Sequence, residues 1–497
     1  MEKVIEKLLC YAESHLCLEK EDAVYVRNIL LKLFECSAPY EGEIDREAIS
    51  SLEVPDSLLD EVRAYYEKKG LSPLDVEKET IFAFSLLCLK PSEINDVFYH
   101  YLKNQQAEKA TEFLYDYSIK NGYIALSKIR KNLHWDATFE NGDPAIEVSI
   151  NLSRPEKSNK DNAKLLTAAP SHNYPKCMLC YENLGFEGNA KIPPRGTLRF
   201  VPLSLYEGEE WYLQYSPYAY FDHHCIVFGK EHTNMHIDEK TIVRLLHFVD
   251  LFPHFFLGSN ADLPIVGGSI LDHDHYQGGS HLLPLLKADV KEWFETLVPG
   301  VRMGVIDFYN SSLRLESKDE KALTKMAAIL MERWKNYTDE ENGIIAFDES
   351  GRHNTITPFA RKHADHYSLD IVLRNNRTDT TYPDGIFHAH PEYHHIKSEG
   401  IGLIEAAGLF ILPPRVFRQS KQCEEVVAEG LNREEYLSRY PDLEHHDAMI
   451  AALKKGQSVE DYISDVCRKI LRNTAVFKDT PSGKAGFARF LEGLKHE

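Results

Sequence analysis

Residues 262–279 read DLPIVGGSILDHDHYQGG, and no other stretch limits the chain so narrowly. An apolar run enters a Gly-Gly-Ser turn, and His273, His275 and Gln277 then follow at a spacing of two. On a β-strand that spacing puts all three side chains on one face. Three polar groups on one buried strand face are costly unless each is paired. Gly267, Gly268 and Ser269 can bring backbone N–H groups close to a phosphate, because glycine has no Cβ to keep a ligand away. One imidazole can attack phosphorus and form a phosphoramidate, which divides a hard displacement into two easier ones. The other can orient the strand or bind a metal. Gln277 can donate to a phosphoryl oxygen but cannot shuttle a proton. The bland reading is a pair of core histidines satisfied by hydrogen bonds.

The remaining histidines also cluster. Of 23, ten lie between His172 and His281 and seven between His353 and His395. Such clusters point to metal ligands, acid–base groups or a nucleophile. Upstream, Cys177-Met-Leu-Cys180 is followed by Gly185 and Gly188. A C-x-x-C loop lets two thiolates reach one metal. A redox dithiol and plain structural thiols are the alternatives. No second C-x-x-C follows, so further ligands to a metal have to be histidines.

The pattern along the 497 residues predicts an α+β fold. Residues 1–125 read as a helical region, with Val4, Ile5, Leu8 and Leu9 at helical spacing. Ser72-Pro73-Leu74-Asp75 has the form of a capped helix start. Two halves follow, 126–285 and 286–497, mainly antiparallel sheet flanked by helices and similar enough to suggest a distant duplication. Strands are predicted at 145–152, 197–203, 211–215, 224–228, 344–347 and 368–373, with a further strand end near 386–390. Helices are predicted at 237–251, 319–337 and 399–409 and again beyond about 421. Lys+Arg total 57 against 77 Asp+Glu, a net charge of -20, which disfavours binding to nucleic acid. A single phosphate remains compatible, since a few local donors suffice. No run of about 18 apolar residues is present, so no membrane span is expected. The charged, amphipathic start is unlike a signal peptide. Nine cysteines, an odd and sparse number, suit the reducing cytoplasm.

The stretch 262–279 resembles the signature of the class II galactose-1-phosphate uridylyltransferases, whose H-x-H-x-Q core belongs to the wider histidine-triad superfamily. Hydrolases of that superfamily carry a third His where Gln277 stands. The resemblance implies two histidine-triad-like halves. It implies that His275, the second His, is the nucleophile that becomes uridylylated, and that Gln277 holds the phosphoryl group. The family pattern has a small residue before the first His; here it is Asp272, a carboxylate able to hydrogen-bond the ring of His273.

By resemblance to class I relatives, zinc is expected at Cys177, Cys180, His232 and His273. Residues 146–152 and the loop beginning Ser153-Arg154 resemble the nucleotide-contacting strand and loop, with Arg154 as phosphate clamp. Asn260 matches a nucleotide-side Asn. Gly385-Ile-Phe-His388-Ala-His390 resembles the H-A-H segment of the C-terminal domain, which lies near the partner subunit's site, so His388 and His390 take a hexose-side or structural role. The tandem His394-His395 is expected to be solvated.

The resemblance implies a ping-pong exchange of UMP between UDP-glucose and galactose 1-phosphate in a cytoplasmic homodimer. No nicotinamide, flavin or Mg²⁺ is expected. A nucleotide hydrolase or phosphorylase with the same nucleophile is the alternative, which Gln277 disfavours because water needs a base. A non-enzymatic zinc module is the third reading, disfavoured by the Gly-Gly-Ser turn beside H-x-H.

Overall fold

The computed structural model describes residues 1–152, 174–268 and 270–495. The N-terminal region is helical through Ile129. Its first helix, Glu2–His15, buries Ile5, Leu8, Leu9 and Ala12, the stripe its spacing predicts. Ser72 caps the helix Pro73–Ser85, accepting from the Asp75 N–H while its hydroxyl donates back to the Asp75 carboxylate. These helices dock on the sheet that follows through specific bonds. Asn121 donates to the Thr197 carbonyl at 2.8 Å, Arg199 to the Leu89 carbonyl at 2.7 Å, and the Tyr215 hydroxyl to the Thr111 carbonyl at 2.8 Å.

Strands β1 (Leu133–Ala137) and β2 (Ile146–Ile150) begin a small sheet. A long meander follows: β3 (Val201–Leu203), β4 (Trp211–Tyr215) and β5 (Cys225–Gly229). The helix Glu239–Leu251 then leads to β6 (Phe256–Ser259) and β7 (His275–Gly279). The second half repeats this plan. Strands β8 (Val290–Glu295), β9 (Val301–Ile306) and β10 (Ser312–Ser317) precede the helix Glu320–Lys335. After a two-residue hairpin, β11 (Phe347–Asp348) and β12 (Gly351–Arg352), come β13 (Asn354–Lys362) and β14 (Tyr367–Asn375). Strand β15 (Leu409–Leu412) pairs parallel to β2 and completes the small sheet.

The ten-stranded sheet has the order β3-β4-β5-β7-β6-β13-β14-β10-β9-β8. Read inward from either edge, each half is a three-stranded meander, a helix, and a hairpin inserted in reverse order. The two halves join at β6 and β13, where Phe359, Ala360 and Arg361 face Gly258, Leu257 and Phe256. The duplicated pattern in the sequence is thus a duplicated topology, closed into one sheet.

Both long helices cover one face of that sheet, in a core with Leu257, Tyr276, Leu315 and Leu369. The other face holds Phe256, Phe359 and Val372 and is covered by the small sheet and by the helices Pro414–Glu429 and Val459–Thr474. The sheet edges are guarded. Strand β3 has three residues, includes Pro202, and its Pro202 carbonyl accepts from Tyr99 of the helix Pro91–Lys103. Strand β8 carries a register shift between Val290 and Trp293 and exposed Lys291, Glu292 and Glu295.

Three expectations fail. Residues 386–390 form no strand; they lie in a turn-rich segment between Gly385, at φ +117°, and Pro391. The helix expected over 399–409 shrinks to Leu403–Ala406, because Gly400 and Gly402 precede it and Gly408, at φ +96°, ends it. The strand expected at 344–347 reduces to its last residue, Phe347, as part of a small hairpin. The sequence pattern also misses β1, β6, β8, β9, β10, β12, β13 and β15.

On the second half's counterpart of β7, Arg314 of β10 and Asp370 of β14 face each other and bond at 2.6 and 2.8 Å. Both are buried, and Arg314 also donates to the carbonyls of Leu285, Leu286 and Ala288. Asp370 also accepts from Arg361 at 3.5 Å, so removing Asp370 alone takes the carboxylate from two arginines, whereas removing Arg314 with it leaves only Arg361 without a partner. Asp370→Ala is therefore expected to cost about 3–5 kcal/mol in denaturant unfolding, and Arg314→Met with Asp370→Leu less than the single change, the remaining cost being Arg361 left without its carboxylate.

Candidate active site

Strand β7 lies between β5 and β6, with His275 opposite Phe228 and Gln277 opposite Ile226 and Gly258. Tyr276 points to the helix face, where it stacks on Trp211 at 4.9 Å and its hydroxyl accepts from Arg244 at 3.1 Å. Alternation then directs His275 and Gln277 to the opposite face. His275 is 4% exposed. Its Nδ1 lies 2.8 Å from the His273 carbonyl. A carbonyl only accepts, so Nδ1 carries the proton and Nε2 keeps its lone pair. Burial pushes the ring down to about 4, so it is neutral near pH 7. Among the described residues nothing hydrogen-bonds Nε2. A neutral imidazole with its outer nitrogen unprotonated is a nucleophile for phosphorus.

Gln277 is half-buried, and its Oε1 lies 3.0 Å from Nε2 of His224. His224, the residue before β5, was read from sequence only as the start of a strand. Its approach to Gln277 depends on the turn at His223, which has φ +55°.

Just upstream, Cys177, Cys180, His232 and His273 place one donor atom each within 4.8 Å of the others. The two sulfurs are 3.6 Å apart; Nδ1 of His273 lies 3.3 and 3.8 Å from Cys177 and Cys180, and Nδ1 of His232 lies 3.2 Å from Cys180. A zinc tetrahedron with Zn–S of about 2.3 Å and Zn–N of about 2.0–2.1 Å has edges of roughly 3.3–3.8 Å, so the set fits such an ion. Both rings turn Nδ1 inward. The outer nitrogen of His273 donates to the Gly229 carbonyl at 2.7 Å, and that of His232 lies 3.6 Å from the Asp272 carboxylate. Asp272 thus pairs with His232; the hydrogen bond to His273 that the sequence suggested is not made, because Gly229 already takes that nitrogen. The Cys180 thiol is held well below its ordinary range, first by the Cys177 thiol donating to it and then by the two rings.

Between His273 and His275, Asp274 turns toward Arg244, with 3.9 Å between them, and burial raises its carboxyl to about 7. The loop before β7 is anchored by Asp262, 2% exposed in its side chain, which accepts from Arg352 at 2.7 Å, Thr355 at 2.6 Å and the Ile237 N–H at 3.2 Å. Gly267 bridges back to Ala261. Gly268 lies against Asn260, where a Cβ would come within 2.6 Å of the amide nitrogen, so only glycine fits. Asn260 accepts from the Leu403 N–H at 2.8 Å, and His388 accepts from the Ile401 N–H at 3.1 Å. Both groups therefore hold the segment 401–403 against this loop. His388 is buried, and its Nδ1 has no partner among the described residues. His390 stands apart, stacked on Tyr382 at 4.0 Å and donating to the Ile386 carbonyl. Arg154 and Ser269 lie outside the described residues. His395, expected in solvent, is buried and bonded to the Tyr462 hydroxyl at 2.9 Å.

Past β7, Glu147 of β2 accepts from His281 at 2.6 Å and Lys287 at 2.9 Å. Burial alone would raise its carboxyl, but these two partners hold it below the usual range. The pair ties the small sheet to the segment that follows β7.

Comparison with known proteins bears on this geometry. The family model described as galactose-1-phosphate uridyl transferase, N-terminal domain, matches residues 20–234, and the corresponding C-terminal domain matches residues 248–448. A galactose-1-phosphate uridylyltransferase of Caldanaerobacter subterraneus subsp. tengcongensis is 41% identical, over 98% of this chain and 97% of its own. Those of Halalkalibacterium halodurans and Bacillus subtilis are 40% and 38% identical, over 99% of this chain and 98% and 97% of their own. No solved structure matches.

The Asp262 anchor gives a direct test of how the loop is held. Asp262→Ala leaves Arg352 without its carboxylate and the Thr355 hydroxyl without its acceptor. It is expected to lower unfolding stability by about 2–3 kcal/mol, Arg352 being partly solvated. Equilibrium unfolding in urea measures this.

Proposed function

The chain belongs to the galactose-1-phosphate uridylyltransferase family, and on that premise we propose that it moves UMP between UDP-glucose and galactose 1-phosphate with His275 as the nucleophile. It is a nucleotidyltransferase. The observation that carries the assignment of the nucleophile is the His275 ring, neutral, with Nδ1–H tied to the His273 carbonyl and Nε2 open. The Nε2 lone pair attacks the α-phosphorus of UDP-glucose. A P–N bond forms, the P–O bond to glucose 1-phosphate breaks, and the leaving phosphate oxygen takes the electron pair. A phosphate oxygen of galactose 1-phosphate then attacks the same phosphorus, the P–N bond breaks, and Nε2 recovers its lone pair. The Nδ1–H bond spreads the positive charge that develops on the ring between the two steps. Gln277, on the same face, donates from its amide to a non-bridging oxygen. It has no basic site to activate water, which favours transfer over hydrolysis.

Asn260, Gly267, Gly268 and Ser269 are the loop candidates for the nucleotide side, and Arg154 for the phosphates. Asn260 and His388 already give an acceptor to the chain, so their contribution is to set the loop's shape as much as to touch substrate. The two histidine-triad-like halves are supported by the repeated strand order. Zinc at Cys177, Cys180, His232 and His273 would stiffen the entry to β7 and supply folding energy rather than a reacting group. Nine unpaired cysteines suit a cytoplasmic enzyme, and among the described residues no helix is long and apolar enough to cross a membrane. The family's shared-site arrangement, with the segment around His388 and His390 near the neighbouring subunit, favours a homodimer.

Two experiments test this reading. His275→Gly is expected to abolish exchange of labelled glucose 1-phosphate into UDP-glucose, assayed without galactose 1-phosphate, while the protein stays folded; persistent exchange would remove His275 from its role. Metal analysis of freshly purified protein is expected to find about one zinc per chain. Cys180→Ser is expected to lose that metal and a larger share of thermal stability than of uridylyl transfer, and fresh wild-type protein free of both zinc and iron would overturn the metal assignment.

A further inference from the structure

We infer that His224 is a positioning residue for the reaction, because its ring Nε2–H fixes Gln277 with the amide N–H groups, not the oxygen, toward the phosphoryl group. This rests on the transferase reading above and assigns a role to a residue outside the H-x-H-x-Q signature. Contacts at the two ends of the ring fix its proton. At one end the Tyr220 N–H lies 3.4 Å from Nδ1. A backbone N–H only donates, so Nδ1 is the acceptor and the proton of the neutral ring sits on Nε2. Burial pushes the ring down to about 4, so it is neutral at working pH, with a single N–H to give. At the other end Nε2 lies 3.0 Å from Gln277 Oε1. The amide oxygen is thereby engaged, and both N–H bonds of the amide, which have no partner among the described residues, are left for a ligand.

The ring cannot easily turn over and undo this. His224 is 1% exposed. Tyr220 stacks on it at 5.3 Å and Phe221 packs at 4.6 Å. Its own backbone is held on both sides, the N–H by the Phe221 carbonyl at 3.1 Å and the carbonyl by the Ser216 N–H at 2.8 Å. Gln277 by contrast is only half-buried, and an amide flip costs it nothing sterically, since oxygen and nitrogen are nearly the same size. Without His224 the amide is free to present its oxygen to a phosphoryl oxygen, which is repulsive. The Nε2–H of His224 is what separates the two orientations.

The test is a double-mutant cycle on the first half-reaction, formation of the uridylyl-enzyme from UDP-glucose in a single turnover. His224→Phe keeps the ring volume and the stacking but has no N–H to donate. It is expected to slow uridylylation by about 10- to 100-fold, less than or equal to the loss of one well-aimed donor, with UDP-glucose affinity changed by no more than about threefold. His224→Gln places an amide N–H near the position of Nε2 and is expected to recover most of that loss. In a Gln277→Met background His224→Phe is expected to add no more than about twofold, because there is no amide left to orient. If His224→Phe proves unfolded, His224→Asn takes its place, since its amide is too short to reach Gln277. Wild-type rates in the donor-less variant, or a double mutant slowed by the product of the two single effects, overturn the inference. Failure of the wild-type protein to form the adduct at all overturns the transferase reading instead, and is seen before any variant is made.

Discussion

The imidazole of His273 is bonded at both ends, and the site is built outward from it. Nε2 gives its proton to the Gly229 carbonyl, and Nδ1 faces two thiols. Its own carbonyl receives the Nδ1–H of His275. One residue thus links the end of β5, the cysteine loop and the His275 ring two positions on. A shift of His273 would move with it the carbonyl that sets the tautomer of His275, so the cluster around His273 also fixes the proton on the ring two residues on. Rigidity here serves chemistry by fixing which nitrogen carries the proton, a matter of tenths of an ångström.

The duplicated topology is used unequally. Strand β14 takes the place of β7 in the second half, between the counterparts of β5 and β6. It contains neither His nor Gln, and its central polar group, Asp370, is consumed by Arg314. Its Arg374, also buried, reaches the Ile401 carbonyl and so helps His388 hold the segment 401–403 that Asn260 grips from the first half. The second half has become a support. It holds in place, through Arg352, Thr355 and Arg374, the loop and segment beside the strand that carries His275 and Gln277.

What could be read from sequence was local. The period of two in His273, His275 and Gln277 is a property of any strand, and the Ser72 cap needs only four consecutive residues. The C-x-x-C spacing by itself left a metal, a redox pair and plain thiols open; it took the resemblance to class I relatives to single out His232 and His273, and the fold brings those four donors together. The rest depended on partners far along the chain. Strand β13 carries Pro358, which argues against a strand, yet Pro358 sits just beyond the three residues that pair with β6. Strand β15 starts at Leu409, the last residue of an expected helix that Gly408 cuts short, and its partner β2 lies far back in the chain. His395 looked like a surface residue because the Tyr462 that buries it is 67 positions away. His224 was visible as one of a crowd, but its meaning required a turn with a positive φ at His223 and the neighbouring strand in register.

The guarded edges of the sheet have a consequence for how copies of the chain can meet. An open sheet of ten strands would ordinarily offer two rows of free backbone donors and acceptors, an invitation to lengthen by adding a neighbour's strand. Here one border is three residues long, contains a proline and is latched by a tyrosine from a helix, and the other is bulged and lined with charge. Growth by strand addition is closed off at both ends. Two copies meeting at the borders of this sheet must therefore do so through side chains, where specificity is set residue by residue, and neither border of the ten strands is a template for fibres.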